Sequence, residues 1–316
     1  MLKLNYFQSC ATLFTVSFLL TFACSGQPQV TASVRSNSVL IHIQGEFRII
    51  TANGLPNHST GNFPNPGNPN YIAAQQYNFR IPLHPVPAEK PTSFKLGLFG
   101  IATNGVVFDP GAAEWWGNDP SSGWQYEPIS GPRHLGVDSN NAHVQPNGAY
   151  HYHGVPTGMI AATPGATQRM FLLGWAADGF PIYAPWAYFN PTNPTSPVKP
   201  VKSSFQFKKG TRPTGPGGTY DGTFVADFEY VAGSGDLDEC NGRFGITPEF
   251  PKGTYHYFVT REFPFIPRQF RGTPDPSFLR RGGPPRGRGF GGPGGPGGPP
   301  TGGGGPPPGF RGGPPF

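Results

Sequence analysis

Apolar residues alternate with polar ones, or form short runs, in several segments of the chain, and this pattern is typical of β-strands. Asn104-Gly105 stands between two such segments and predicts a hairpin turn. Segments rich in Asn, Pro and Gly, at 54–71 and 190–202, predict long surface connections. The predicted strands are 39–44, 46–50, 77–83, 94–101, 106–108, 170–176, 182–183, 223–231 and 254–260.

The glycine and proline content excludes long helices. The chain of 316 residues has 47 Gly and 41 Pro, and segment 282–316 alone holds 17 Gly and 11 Pro. Because Gly and Pro cost about 1 and 3 kcal/mol inside a helix, an all-α bundle is excluded. We predict one mainly β, loop-rich domain over 38–278 that is either a β-sandwich or a barrel-like fold. A disordered Gly/Pro/Arg tail at 279–316 is predicted to follow it.

The first 24 residues are typical of an export signal. Lys3 supplies the positive end, and an apolar run follows at 11–22, too short to span a bilayer permanently. Cys24 follows Ala23 at the predicted cleavage point, so plain secretion and lipid anchoring through Cys24 both stay open. We therefore expect a secreted, periplasmic or cell-surface protein whose only membrane contact would be that lipid.

Charge and cysteine content exclude two further classes. The net charge of +6 belongs to the ends of the chain, because 25–279 holds 17 basic and 17 acidic residues. The predicted domain is therefore not a nucleic-acid binder. Outside the signal only Cys240 and Cys24 are left, which rules out an internal disulfide framework.

The strongest chemical motif is Tyr150-His151-Tyr152-His153. In a strand, the period of two places both histidines on one face, a common beginning of a metal site. His256 lies between two tyrosines in a similar motif, and we expect its strand to lie beside the first, making His151, His153 and His256 a ligand set. His143 precedes a Pro-Asn-Gly turn that would fold it back as a fourth ligand or a supporting group. The alternative is a packed sheet with structural histidines.

Acidic and aromatic residues are further candidates. Asp238 or Glu239 would orient a ligating histidine or act as general base towards a metal-bound water, whereas Cys240 is more simply a buried residue. Asp178 either caps a tight turn or reaches the pocket. Three tryptophans in a loop-rich region either cap the core or line a pocket that binds substrate: Trp115, Trp116 and Trp124.

These motifs, in this order, resemble the YHYH domain family. The resemblance covers roughly 90–275 and includes 141–146, 150–153, 178–183, 237–243, 253–257 and 271–274. It implies that the segments belong to one domain and share a site. It implies no particular activity, and the tail lies outside the family pattern.

Three hypotheses follow from the sequence. The first is an exported β domain that binds one transition-metal ion, zinc or copper, and catalyses metal-assisted hydrolysis or oxidation. The second is a non-enzymatic module that binds a small molecule or a cell-surface glycan through its tryptophans. The third is a structural protein whose histidines are core residues.

Overall fold

The computed structural model describes residues 36–94, 97–133 and 135–279. The predicted export signal, Cys24 and nearly all of the predicted tail lie outside these residues. Within the described part of the chain, no helix is long and apolar enough to cross a membrane.

Short strands make up most of the regular structure, as the frequent Gly and Pro residues require. Among the described residues, the helices are α1 (Thr157–Ala161) and four 3₁₀ turns at Trp116–Asn118, Pro120–Ser122, Val225–Asp227 and Pro276–Phe278. The strands are β1 (Val39–Gln44), β2 (Phe47–Ala52), β3 (Tyr77–Pro82), β4 (Thr92–Ser93), β5 (Gly100–Ala102), β6 (Val107–Phe108), β7 (Ala142–Val144), β8 (Tyr150–Tyr152), β9 (Leu172–Ala176), β10 (Pro181–Tyr183), β11 (Trp186–Tyr188), β12 (Val198–Pro200), β13 (Phe205–Phe207), β14 (Phe228–Tyr230), β15 (Gly242–Gly245), β16 (Thr254–Phe258) and β17 (Gln269–Phe270).

Eight strands form the main sheet, in the order β15-β16-β10-β9-β5-β6-β8-β7. The sheet curls as a half-barrel, which confirms the prediction of a mainly β, barrel-like fold. All its neighbouring pairs are antiparallel except β6 with β8 and β10 with β16. Three two-stranded ribbons, β4–β17, β11–β12 and β13–β14, lie outside it.

A second sheet, β1-β2-β3, packs into the same core. Ile50, Phe79 and Ile81 alternate with outward-facing residues and join the buried cluster of the main sheet. The ring of Phe79 stacks on Phe278 at 4.2 Å, which fixes the end of the described chain against β3. In β3 the apolar alternation of the sequence therefore marks the buried face, whereas the apolar residues Leu40, Ile41 and Ile43 of β1 are exposed.

The predicted strands are largely confirmed. The structure has β1, β2, β3, β9, β10 and β16 within one to two residues of their predicted places, and Asn104-Gly105 does connect β5 to β6. Of the predicted strand 94–101, residues 95 and 96 lie outside the described residues, and among the others only Gly100 and Ile101 are in a strand, β5, so the prediction is wrong for 94 and 97–99. The segment 223–231 begins with a 3₁₀ turn, which leaves only Phe228–Tyr230 as strand. The predicted connection at 190–202 contains β12.

Candidate metal centre

Three histidines meet on one face at the β7 end of the main sheet. His143 in β7 is the cross-strand partner of His151 in β8, and His153 follows β8 on the same face. Their exposed fractions are 9, 1 and 2 %. The period-two prediction for His151 and His153 is confirmed, and the turn at Pro146-Asn147-Gly148 returns His143 to them as predicted. We call these three residues the histidine trio.

The rings of the histidine trio face one another. Ring centroids are 4.7 Å apart for His143 and His151, and 4.6 Å for each pair that includes His153. One ring nitrogen from each residue lies within 4.8 Å of the other two. The Nε2 atoms of His143 and His153 are 3.0 Å apart, close to the ~3.3 Å expected when two imidazoles bind one zinc ion tetrahedrally.

Backbone carbonyls orient two of the rings. Nδ1 of His143 donates to the carbonyl of Leu135 at 2.8 Å, and Nδ1 of His151 donates to that of Ala149 at 3.0 Å. These bonds place the proton on Nδ1 and leave Nε2 with a lone pair, the tautomer that a metal needs. Nδ1 of His153 is buried and meets no partner with hydrogen-bond geometry among the described residues.

The surroundings favour the neutral form of His143 and His153. Burial lowers the pKa of His143, with the charges of Glu114 and Asp138 acting against it. Burial lowers the pKa of His153 much further, and a proton on this ring would also be repelled by Arg268 and by a proton on either of the other two histidines, while the backbone of Asp109 acts against the shift. Arg268 itself is paired with the buried Glu127, whose pKa burial raises to about 7. Neutral imidazoles are metal ligands, so the residues present fit a transition-metal ion.

The tyrosines of the motif lie on the other face and play a structural part. The hydroxyl of Tyr152 lies 2.6 Å from Nε2 of His58 and accepts a hydrogen bond from the side chain of Asn104. Tyr150 donates to Asp138 at 2.8 Å. Neither His58 nor Asp138 was predicted from the sequence as a functional residue. The sequence did contain a signal for these two residues, because a strand face made of tyrosines needs polar partners for its hydroxyl groups once it is buried.

His256 does not join the trio, and the prediction that its strand neighbours β8 is wrong. It lies in β16, which pairs with β15 and β10, and four strands separate β16 from β8. Its Nδ1 donates to the carbonyl of Thr254 at 3.0 Å, and its buried Nε2 has no partner among the described residues. Burial lowers its pKa to about 4. The similarity of the two motifs was interpreted as a sign that their strands are neighbours in the sheet, and they are not.

Asp238 and Glu239 also lie away from the trio, in the turn before β15. Asp238 accepts bonds from the backbone of Cys240 and Gly242 and from Tyr255, so it caps the turn. Burial raises its pKa. Glu239 lies 3.5 Å from Arg271. The prediction that either acts as base at the trio is therefore corrected. Cys240 is fully buried, as favoured, and burial raises the pKa of its thiol to about 12.

The three tryptophans do not form a common pocket. Trp124 is buried against Phe224, with ring centroids 5.6 Å apart, so core capping describes it correctly. Trp115 is half-buried and forms an isolated antiparallel β-bridge with Gln125, while Trp116 is 39 % exposed. A cavity of about 580 Å³ beside Trp186 and Arg261 is lined by none of these three tryptophans.

A family model described as "YHYH protein" matches residues 78–272, more than half of the chain. The chain belongs to the YHYH family. The match contains the whole main sheet and the histidine trio, so the trio is part of the YHYH domain itself. Neither a curated protein nor a solved structure matches the chain.

The cavity adjoins the trio through the backbone of the YHYH domain. Asn141 and Val155, which line it, flank His143 and His153 in sequence, and the carbonyl of Asn141 accepts the N–H of His153 at 2.7 Å. The lining also includes Arg261, whose guanidinium lies 5.3 Å from the ring centre of Trp186. The side chains of the trio do not line this cavity. An ion bound by the trio and a ligand bound in the cavity would therefore contact different side chains.

Proposed function

We propose that the YHYH domain of this protein binds one transition-metal ion, zinc or copper, through His143, His151 and His153. The observation that carries the proposal is the convergence of three buried imidazoles, two of which have the Nδ1–H tautomer fixed by backbone carbonyls. Both metals accept imidazole ligands.

The low exposure of the trio bears on what the ion would do. Ligands that are at most 9 % exposed favour an ion held inside the protein, which ties β7 to β8 and stabilises the fold. A hydrolytic reaction would also need a base near the ion. Glu114 and Asp138 are the carboxylates whose charges act on His143, which makes them the candidates for that role.

Metal analysis of the full chain, produced without a polyhistidine tag, tests the proposal. We expect about one equivalent of metal by mass spectrometry in the wild type, and none in His151→Ala/His153→Ala. The matched control is His42→Ala/His84→Ala, which removes two exposed histidines and should keep the metal. A wild type that stays empty after incubation with Zn²⁺ and Cu²⁺ would contradict the proposal, as would a trio variant that keeps its ion.

The cavity favours a second candidate function, the binding of a small acidic sugar. Its volume of about 580 Å³ is in the range of small-molecule sites. Arg261 is exposed and has no ion-pair partner among the described residues, and threonine hydroxyls (Thr157, Thr163, Thr167 and Thr260) share the lining. Titration with galacturonate, with galactose as control, should give binding of the acid only, and Arg261→Gln should abolish it. Equal results for the two sugars would refute this candidate.

An exported, cell-surface location remains part of the proposal. It is supported by the apolar run at 11–22 behind Lys3. Fractionation of cells that express the full chain tests it, with recovery of the protein in the cytoplasm as the contradicting result. Metabolic labelling with a fatty acid, compared between the wild type and Cys24→Ser, distinguishes lipid anchoring from plain secretion.

A further inference from the structure

The two halves of the main sheet have the same pattern of strand pairing when each is followed outward from the centre. We call β5, β6, β7 and β8 the first unit, and β9, β10, β15 and β16 the second unit. Outward from the centre, each unit has an antiparallel hairpin, then a parallel pairing, then a second antiparallel hairpin. The first strands of the two units, β5 and β9, pair with each other.

The pairing at the centre is symmetric residue by residue. Gly100 faces Ala176, Ile101 faces Trp175, and Ala102 faces Gly174. A Cβ on Gly100 would lie 2.4 Å from the carbonyl oxygen of Trp175, and one on Gly174 would lie 2.1 Å from that of Ile101. Both units therefore need a glycine at the same position, for the same reason.

The first hairpin turns of the two units are equivalent. Gly105 donates to the carbonyl of Ala102 at 2.8 Å, and Gly179 donates to that of Ala176 at 3.0 Å. The residue before each glycine is Asn104 in the first unit and Asp178 in the second. Asn104 bonds the hydroxyl of Tyr152, and Asp178 accepts the hydroxyl of Tyr257.

The second hairpins begin with the same capped turn. Asp138 caps two backbone N–H groups and accepts the hydroxyl of Tyr150, while Asp238 does the same with Tyr255. Each turn then has an asparagine with positive φ, at 53° in the first unit (Asn141) and 55° in the second (Asn241). In each, that asparagine carbonyl accepts an N–H from the far end of the hairpin.

This equivalence gives each member of the trio a counterpart. Arg243 is the cross-strand partner of His256, as His143 is of His151. His256 has the ring orientation of His151, since each donates Nδ1–H to the carbonyl two residues earlier at 3.0 Å. The counterpart of His153 is Phe258. Its ring is 5.1 Å from that of His256 at 70°, against 4.6 Å and 69° for His153 and His151.

We propose that the two units are copies of one histidine site and that Arg243 replaces the metal ion in the second copy, leaving a latent metal position that His256 still marks. The guanidinium carbon of Arg243 lies 5.7 Å from the ring centre of Phe258. Buried Nε of Arg243 and Nε2 of His256 both lack partners among the described residues. Nη2 of Arg243 donates to the carbonyl of Tyr188 at 2.7 Å, so its positive charge is held beside Phe258, the counterpart of His153. This inference rests on the proposed metal function of the trio.

Restoring the missing ligands tests the inference. The full-chain variant Arg243→His/Phe258→His is incubated with Zn²⁺ and its metal content measured beside the wild type, with circular dichroism to check folding. We expect about two equivalents in the variant and one in the wild type. The control Phe244→His adds a histidine to the same strand at a 64 % exposed position, and it should stay at one.

The outcomes separate this inference from the proposed function. One equivalent in both proteins overturns the latent position and leaves the trio proposal intact. None in the wild type and one in the variant supports the latent position and overturns the trio proposal. Should the double variant fail to fold, Arg243→His alone places two imidazoles across β15 and β16. Zn²⁺ should then raise its melting temperature relative to Phe244→His, and equal responses of the two proteins would overturn the inference.

Discussion

The buried carboxyl of Asp178 makes the stability of the domain depend on pH. Its side chain is 1 % exposed and accepts bonds from the hydroxyl of Tyr257 at 2.5 Å and the backbone of Gly272 at 2.9 Å. It also accepts the N–H of Phe180, which settles the turn-capping role considered from the sequence. Burial raises its pKa from 3.8 to about 6, because desolvation outweighs the three hydrogen bonds.

The sign and size of the effect follow from this shift. Between about pH 4 and pH 6 the folded chain holds a proton on Asp178 that the unfolded chain has lost. Stability therefore falls as the pH rises through this window. A shift of about two pH units corresponds to about 3 kcal/mol at 1.36 kcal/mol per unit, which is present below pH 4 and lost above pH 6. Asp178→Asn keeps the shape and removes the ionisation, as in the first unit, where Asn104 stands at this position.

Urea unfolding from about pH 4 to pH 7, followed by tryptophan fluorescence, measures the effect. The free energy of unfolding of the wild type should decline by about 3 kcal/mol more than that of Asp178→Asn over this range. Glu89→Gln, at an exposed position, makes the same chemical change and should follow the wild type. Parallel curves for the wild type and Asp178→Asn would refute the argument that burial dominates at this carboxyl.

Three further predictions concern the seam of the sheet, the trio and the tryptophans. Gly174→Ala should lower the free energy of unfolding by about 3 kcal/mol or more, because its Cβ meets a carbonyl oxygen at 2.1 Å; a near-neutral urea curve would contradict this. Because burial lowers the pKa of His143 and His153, bound metal should survive dialysis at about pH 6 and leave only in stronger acid, whereas half-loss near pH 6.5 would match exposed imidazoles. Trp124→Ala should cost about 3 kcal/mol and Trp116→Ala well under 1 kcal/mol in urea unfolding, and equal costs would refute the core-capping role.

The local part of the candidate site could be predicted from the sequence. Alternation in a strand decides which face His151 and His153 share, and a tight turn decides that His143 returns to them. Both depend on residues within a dozen positions. The same reasoning predicted the hairpin at Asn104-Gly105, because that turn chemistry is local as well.

Pairing between distant strands could not be predicted in the same way. The parallel contacts of β6 with β8 and of β10 with β16 join segments separated by long insertions, and no local pattern encodes them. The similarity of 254–258 to 150–153 was therefore interpreted as adjacency, although the structure shows equivalence. A signal for equivalence did exist, since Gly100, Asn104 and Gly105 recur as Gly174, Asp178 and Gly179.

The long-range parallel pairings also bear on how quickly the chain can fold. Each hairpin of the two units closes a short loop, whereas Val107 must find His151 and Ile182 must find Tyr257 across insertions that have their own structure. Contacts of high sequence separation slow the folding of β proteins to about milliseconds or seconds. We therefore expect the hairpins to form first and the half-barrel to close last.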